Sequence, residues 1–212
     1  ELMQPTDTSK LPKSTLVMHH VGYIVSDIAK AQAAAKSRGL TFLAEAPYTN
    51  YMGQEVLYFD PDSTNGIWMH LTKVPPRSTA PAAGPRIDGI LHPGYRVRDM
   101  KAATAWFVDK LGGKRIGGGP SNNGGEVAYI DCGQAQVELI APADAKNMKE
   151  PFALDHVGYI VPNIKSEMAA YRIRLQQFAT DEPIVNPLGQ KLIYFTNATA
   201  MGTRMHLTEL PA

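Results

Sequence analysis

The amino-acid sequence predicts an α+β fold built from repeated βαβββ modules, and the main observation behind this prediction is an internal repeat. Residues 20–25 read HVGYIV, and the same letters return at residues 156–161, 136 residues later. The tetrapeptide MHLT occurs at residues 69–72 and again at residues 205–208. The copies align without a gap between these anchors, and a period of this length is typical of a duplicated domain rather than a solenoid.

Composition sets general limits on the function. The chain has 212 residues, of which 44% are hydrophobic, so it can bury one or two cores. A net charge of +1 gives no electrostatic reason to expect a nucleic acid or an anionic membrane as partner. The sequence contains no run of about 18 apolar residues, which is the length that predicts a membrane-spanning helix. Cys132 is the single cysteine, which excludes an internal disulfide.

The first stretch of the chain predicts one strand, one helix and then further strands. Residues 16–25 are rich in β-branched side chains and predict a strand. Asp27 is placed to cap a helix that runs to about Arg38, and Gly39 is placed to end it. The last strand of this stretch is predicted at residues 67–73.

The rest of the chain repeats this order twice. A second stretch begins with a strand at Ile90, has a helix capped by Asp99 that ends at Gly112, and closes with a strand at residues 136–140. A third stretch, from about residue 153 to residue 210, repeats the first. The order strand, helix and about three strands therefore occurs three times.

The domain organisation follows from the linkers and the repeat. Residues 75–88 are rich in Pro, Ala and Gly and predict a linker between residues 1–74 and residues 89–212. Glu1 aligns with Glu138, at the end of the second type of stretch. We therefore expect the chain to begin inside a module, so that a missing module or a second chain would complete the first domain. The alternative is that the N-terminal residues are an ordinary tail.

Histidine positions point to a metal. The repeat matches His20 with His156 and His70 with His206. A repeated core alone would preserve apolar residues and glycines, and it gives no reason to preserve imidazoles. The alternative is that each ring is a strand histidine with ordinary hydrogen bonds.

The second stretch adds two more candidate ligands. His92 occupies the position of His156 in its strand, and Glu138 occupies the position of His206. Three imidazoles and one carboxylate suit a borderline divalent ion such as Zn, Fe, Ni, Co or Mn. Calcium prefers oxygen ligands and is not expected.

Three motifs together resemble one known family. The first strand reads H-x-G-Y-x-V, the helix reads D…WFVDKLGG, and the closing strand reads VELI. These motifs and the βαβββ order are similar to the vicinal oxygen chelate superfamily, which includes glyoxalase I, methylmalonyl-CoA epimerase, fosfomycin-resistance proteins and extradiol dioxygenases. The resemblance implies that two modules pair into an open β-barrel, or cup, with a metal held by the first and last strands of each.

The resemblance also implies site residues. The implied ligands of the complete pair are His92, Glu138, His156 and His206. The implied ligands of a second site are Glu1, His20 and His70, with a fourth from the missing module. Arg96 lies on the strand face of His92 and is either a substrate-binding residue, as in glyoxalases, or a surface charge. Thr72 and Thr208 are either partners of the closing-strand histidines or plain strand residues. Histidines on both closing strands depart from the family, which commonly has a carboxylate or amide there.

The number of ligands favours a reaction class. Four protein ligands leave one or two positions open, which fits a small oxygenated substrate and Lewis-acid chemistry of the isomerase or lyase type. His206 is alternatively an acid or base that does not bind the metal, and Glu138 is the other candidate for proton transfer. Ring-cleaving dioxygenase chemistry and a non-catalytic small-molecule or drug-binding role remain alternatives.

Overall fold

The computed structural model contains three copies of the same βαβββ unit. It describes residues 3, 7, 9, 16–75, 85–121, 124–133 and 135–211. We name the copies module 1 (residues 21–73), module 2 (residues 89–141) and module 3 (residues 152–209). None of the helices in the part of the chain that the structure describes has the length and apolar character needed to cross a membrane.

Module 1 forms a four-stranded sheet of its own. Its elements are β1 (Val21–Ile24), α1 (Ile28–Ser37), β2 (Tyr48–Thr49), β3 (Glu55–Tyr58) and β4 (Met69–Lys73). The strand order is β1-β4-β3-β2, with β1 parallel to β4. The first and last strands of the module are therefore neighbours.

Modules 2 and 3 have the same internal order and share one sheet. Module 2 consists of β5 (Gly89–Val97), α2 (Met100–Leu111), β6 (Lys114–Pro120), β7 (Glu126–Asp131) and β8 (Gln136–Ala141). Module 3 consists of β9 (Phe152–Ile160), α3 (Ile164–Ile173), β10 (Ile184–Val185), β11 (Lys191–Tyr194) and β12 (Met205–Glu209). The antiparallel pair β5–β9 joins them in the order β10-β11-β12-β9-β5-β8-β7-β6. The predicted α+β fold of repeated βαβββ modules is confirmed.

The helices begin and end where local chemistry requires. The side chains of Asp27, Asp99 and Asn163 each accept a hydrogen bond from a backbone N–H in the first turn of α1, α2 and α3. Gly112 ends α2 in the left-handed conformation, with φ of 72°. The predicted caps at the two aspartates and the predicted stop at Gly112 are confirmed.

Strand β1 is shorter than predicted. Residues 16–25 were expected to form one strand, but β1 covers only Val21–Ile24. The same sequence in module 3 belongs to β9, which extends from Phe152 to Ile160 because β5 pairs with it along its whole length. Among the strands that the structure describes, β1 pairs with β4, and that pairing starts at Val21. Strand β9 thus has a neighbouring strand along residues 152–156, which no described strand provides for residues 16–20.

Module 1 packs against module 2 through the helix side of each sheet. One buried cluster joins the two modules and includes Leu40, Phe59, Met69, Leu71, Tyr95, Val97, Met100, Ala103, Phe107 and Leu139. The Tyr23 and Tyr95 hydroxyls lie 3.4 Å apart, and the Lys110 ammonium donates to the Arg38 carbonyl over 2.6 Å. Since strand side chains alternate, the faces that carry the histidines point away from this shared core.

Phe107 tests the shared core. The Phe107 ring is fully buried in the cluster between modules 1 and 2, so Phe107→Ala should lower the free energy of unfolding by about 3–5 kcal/mol. The matched control is Val108→Ala on the exposed side of α2, which should change the free energy of unfolding by less than about 0.5 kcal/mol. Urea denaturation followed by circular dichroism measures both. Equal effects of the two substitutions would contradict the packing described above.

Candidate metal centre

Four adjacent strands bring the predicted ligands together. His92 lies on β5, His156 on β9, Glu138 on β8 and His206 on β12. The three histidines are at most 1% exposed and Glu138 is 7% exposed. One ligand atom from each of the four residues can be chosen so that all four lie within 4.8 Å of one another. The structure therefore assembles the set of side chains that the repeat indicated.

The donor atoms have the spacing of a metal coordination shell. The Nε2 atom of His92 lies 3.3 Å from His156 Nε2, 3.2 Å from His206 Nε2 and 3.2 Å from Glu138 Oε2. The distance from His156 Nε2 to Glu138 Oε2 is 3.1 Å. Ligands about 2.0–2.2 Å from one ion are about 2.8–3.6 Å from one another in octahedral or tetrahedral geometry. The residues present therefore fit a divalent ion of the borderline type.

Two glycines make the close approach possible. Gly94 lies opposite Glu138 on β8 and His156 on β9, and Gly158 lies opposite His92 and His206. A Cβ atom at Gly158 would lie 2.6 Å from His206 Cε1 and 2.9 Å from His92 Nε2. A Cβ atom at Gly94 would overlap the His156 ring. The glycine of each H-x-G-Y motif thus provides the space that the imidazole of a neighbouring strand occupies.

Hydrogen bonds at Nδ1 orient two of the rings. His156 Nδ1 donates to the Asp155 carboxylate over 2.9 Å, and Arg204 binds the same Asp155 oxygen. This arrangement leaves the Nε2 lone pair of a neutral His156 directed at the centre. The His206 Nδ1 atom lies 2.9 Å from the Thr208 hydroxyl. Of the two interpretations of Thr208, the structure supports a hydrogen-bond partner of the histidine.

The electrostatic environment favours neutral His92 and His206 and an ionised Glu138, whereas it favours the protonated form of His156. Burial lowers the pKa of His92, and burial with the nearby His156 and His92 lowers that of His206 much further. Burial alone would lower the pKa of His156, but its bonds to Asp155 and Glu138 raise it overall. Burial alone would raise the pKa of Glu138, but His156 and His92 hold it well below its usual value. Neutral imidazoles and a carboxylate are the forms that bind metals.

A cavity opens next to the four donors. The eight-stranded sheet curls around a space of about 770 Å³. Its lining includes Arg96, Tyr129, Glu138, Asp155, Asn186, Tyr194 and Arg204. Among the four candidate ligands, Glu138 is the one in that lining, whereas the three histidine rings lie behind it. Arg96 is on the predicted face, exposed and at the cavity wall.

Two tyrosines and an arginine complete the wall around Glu138. The Tyr129 hydroxyl donates to Glu138 Oε1 over 3.3 Å, while Glu138 Oε2 faces His92 and His156. The Arg204 guanidinium lies 4.7 Å from the centre of the Tyr194 ring, a cation–π arrangement. Each carboxylate oxygen of Glu138 thus has a separate environment.

The predicted second site is represented by two histidines in module 1. The rings of His20 and His70 have centroids 5.0 Å apart, close to the 5.1 Å between His156 and His206. The Thr72 hydroxyl contacts His70 Nδ1 as Thr208 contacts His206. The third predicted ligand of this site, Glu1, lies outside the residues that the structure describes.

Module 1 differs from module 3 around these rings. His19 stands where module 3 has Asp155, and Trp68 stands where it has Arg204. The His19 and His20 Nδ1 atoms are 3.2 Å apart, so this contact replaces the histidine–carboxylate bond. Modules 1 and 3 therefore share these two histidines and the threonine, but the residues that stand at the positions of Asp155 and Arg204 differ.

Sequence reasoning missed several residues of the site. Asp155, Arg204 and Tyr129 were not singled out, although Asp155 directly precedes His156 in the sequence. Tyr194 belongs to the repeated Tyr-Phe pair, which was a usable signal. The sequence motif contains Gly158 and its equivalents Gly22 and Gly94, but it does not show that each lacks a side chain where an imidazole packs. Residues that contact one another only across strands leave no mark in a single sequence.

Gly158 tests the packing of the donor set. Gly158→Ala places a methyl group against the His206 and His92 rings, so the free energy of unfolding should fall by about 1–3 kcal/mol. Gly89→Ala on β5 is the control, because no atom would lie within 4 Å of its Cβ. Thermal denaturation of both variants measures the difference. A Gly158→Ala protein as stable as the control would mean that the rings do not occupy this space.

Comparison with known proteins agrees with this architecture. Methylmalonyl-CoA epimerase from Mycobacterium tuberculosis superposes with a TM-score of 0.56 and 18% identity, over 63% of this chain and 95% of that one. The Streptomyces coelicolor methylmalonyl-CoA epimerase in complex with 2-nitronate-propionyl-CoA superposes with a TM-score of 0.52 and 17% identity, over 60% of this chain and 100% of that one. A hypothetical protein from Bacillus halodurans C-125 superposes with a TM-score of 0.51 and 20% identity, over 58% of this chain and 94% of that one. These likenesses concern the fold.

A comparison with curated proteins gave no match. The family model of the Glyoxalase/Bleomycin resistance protein/Dioxygenase superfamily matches residues 89–196, about half of the chain. This range covers module 2 and most of module 3. It includes the strand pair β5–β9 and three of the four clustered side chains, His92, Glu138 and His156. The chain therefore belongs to the Glyoxalase/Bleomycin resistance protein/Dioxygenase superfamily.

Proposed function

We propose that residues 89–211 form a divalent-metal-dependent enzyme of the isomerase or lyase type that acts on a small oxygenated substrate. The observation that carries this proposal is the convergence of four buried donor atoms beside an open cavity. The low identity to the solved structures conveys the fold alone, so the proposal is based on the donor set and not on their reactions.

The donor set supports a metal rather than a network of ordinary hydrogen bonds. The Nδ1 proton of His156 is committed to Asp155, so a neutral ring presents a lone pair at Nε2. That lone pair faces Glu138 Oε2 at 3.1 Å and His92 Nε2 at 3.3 Å. The Glu138 carboxylate and the lone pairs of the neutral His92 and His206 rings converge on the same buried point, which favours a cation at that point. Three nitrogens and one oxygen favour Zn, Fe, Ni, Co or Mn.

The chemistry of such an ion is consistent with proton transfer next to a carbonyl group. A divalent ion held here would act as a Lewis acid toward a substrate oxygen. Four protein ligands would leave one or two positions of a five- or six-coordinate ion for the substrate. Ring cleavage of a catechol needs room for two catechol oxygens and O2, so the donor count favours an isomerase or lyase.

The residues of the cavity have separate roles in this proposal. Glu138 reaches the cavity surface as a carboxylate, and in this proposal it is the group that accepts a proton from a substrate carbon. Tyr129 holds the other carboxylate oxygen, which fixes the orientation of Glu138. Arg96 and Arg204 place positive charge at the wall, where an anionic group of the substrate would bind. His206, fully buried, has the role of ligand rather than of acid or base.

His156 provides the direct test of the metal site. His156→Ala removes a central donor, so the purified protein should lose its bound metal, measured as metal per chain by elemental emission after zinc loading and desalting. Circular dichroism should stay unchanged, because apolar strands hold the sheet. The matched control is His20→Ala, the equivalent change in module 1, which should leave the ion between modules 2 and 3 in place.

Two assays separate the classes of function. Deuterium uptake from D2O into the acidic C–H of small 2-oxo acids and thioesters, followed by NMR, is expected for the isomerase or lyase type. Oxygen uptake with catechols by the iron-loaded protein would instead support a dioxygenase. Full metal occupancy in the His156→Ala protein would disprove the site and favour the non-catalytic binding role.

Asp155 tests the orientation of the ligand. Asp155→Asn keeps the shape but weakens the bond to His156 Nδ1, so the affinity for zinc should fall by about 10–100-fold. Competition with a fluorescent zinc chelator measures this change. Asp144→Asn is the control, because Asp144 lines the same cavity without contacting a ligand. Equal affinities of the two variants would exclude an orienting role for Asp155.

A further inference from the structure

The C-terminal end of α3 exposes apolar side chains that the equivalent end of α1 lacks. Ile173 is 84% exposed and Leu175 is 86% exposed, the highest values among the large aliphatic side chains that the structure describes. In module 1 the same positions of the repeat are Ser37 and Gly39. This apolar surface is therefore specific to module 3 and is not a consequence of the common fold.

Leu175 also has a strained backbone. Its φ is 62°, in the left-handed region that a leucine adopts only at a cost in energy. Helices α1 and α2 both end with a glycine in this conformation, Gly39 with φ of 79° and Gly112 with φ of 72°. A leucine at this position strains the folded chain, and its exposed side chain gains no burial in return. A contact of that side chain with another molecule would offset the strain.

The charged groups next to this surface include one of each sign. Arg174 is exposed and lies between Ile173 and Leu175 in the sequence. The Arg172 guanidinium donates to the Asp181 carbonyl over 3.2 Å, which places Asp181 beside the last turn of α3. Asp181 is exposed too, and neither it nor Arg174 forms an ion pair with another residue that the structure describes. A cation and an anion thus remain available at the same apolar surface.

The chain already contains a contact between two helix ends. The Lys110 ammonium in the last turn of α2 donates to the Arg38 carbonyl at the end of α1 over 2.6 Å. A Cβ atom at Gly112 would lie 2.5 Å from Arg38 Nη1, so the caps of α1 and α2 touch. Basic side chains are favourable there, because they interact with the last carbonyl groups and the helix dipole. The exposed end of α3 carries two such side chains, Arg172 and Arg174.

We propose that the α3 end surface, formed by Arg172, Ile173, Arg174, Leu175 and Asp181, binds the same surface of a second copy of the chain about a two-fold axis. In such a contact one surface supplies both members of every pair of residues. Ile173 and Leu175 pack against the same two residues of the second copy. Arg174 of each copy binds Asp181 of the other, so the ion pair forms twice.

The charges favour a second copy over an anionic partner. An acidic peptide or an anionic lipid surface would attract the two arginines, but Asp181 and Glu182 on the adjacent loop would repel it. A second copy supplies both signs, so that each charge meets its opposite. Because each copy contributes two large apolar side chains, we expect reversible association with a dissociation constant of about 10–100 μM.

Leu175→Gly tests this surface and keeps the fold. Glycine removes the apolar side chain and relieves the backbone strain, so the melting temperature should stay equal or rise. The dissociation constant of the dimer should rise about tenfold or more. Sedimentation velocity of the full chain from about 5 to about 500 μM measures it.

The matched control is Met201→Gly. Met201 also has a positive φ, of 54°, and is 50% exposed, but it lies outside the α3 end surface. The substitution should affect the melting temperature in the same way as Leu175→Gly and leave the dissociation constant unchanged. A Leu175→Gly chain that associates as strongly as this control would overturn the proposal, since the contact would then lie elsewhere. So would an unsubstituted chain that stays monomeric at about 500 μM.

A charge exchange tests the two-fold arrangement. Arg174→Glu alone should weaken the association, because two carboxylates would then face each other across the axis. Arg174→Glu combined with Asp181→Arg in the same chain should restore it, because each copy then carries the reversed pair. If the double substitution associates no better than Arg174→Glu alone, the pairing of Arg174 with Asp181 is disproved.

Discussion

The candidate site depends on the close approach of β5 and β9 at two positions without side chains. Gly94 and Gly158 lie opposite the donor residues, and each leaves room for an imidazole from the adjacent strand. With a Cβ atom at either position, the rings could not lie 3.2–3.3 Å apart at Nε2. The antiparallel pairing thus does more than extend the sheet, because it brings the first strands of two modules to a common centre.

Burial gives this centre its chemical character. Removal of water lowers the pKa of His92 and His206, while Glu138 stays ionised because His156 and His92 lie next to it. Two neutral imidazoles and a carboxylate therefore face one point inside a protein that offers little solvent screening. Among the candidate ligands, Glu138 is the one that lines the cavity, so in the proposed function the same carboxylate would contact both the ion and the substrate.

Much of the fold and the candidate ligands could be predicted, because repetition marks residues that a single copy would not. The repeat singled out His156 and His206, which the structure places in one buried cluster, and the caps at Asp27 and Asp99 follow from local chemistry. Contacts between modules left no such signal. Tyr95 and Phe107 are apolar positions in the sequence, which does not reveal that they belong to a cluster shared by modules 1 and 2. Asp155 and Arg204 form a pair 49 residues apart, which only the folded sheet brings together.

The two copies of HVGYIV show how the same residues acquire different roles. In module 3 the segment belongs to a nine-residue central strand with a fully buried histidine, whereas in module 1 it is a four-residue edge strand with a partly buried one. The local sequence is identical, and the two segments differ in the described strands that pair with them. The orienting groups have also changed, since His19 and Trp68 replace a carboxylate and a guanidinium. A ring without that carboxylate is a weaker donor, because less electron density is supplied through its Nδ1–H bond.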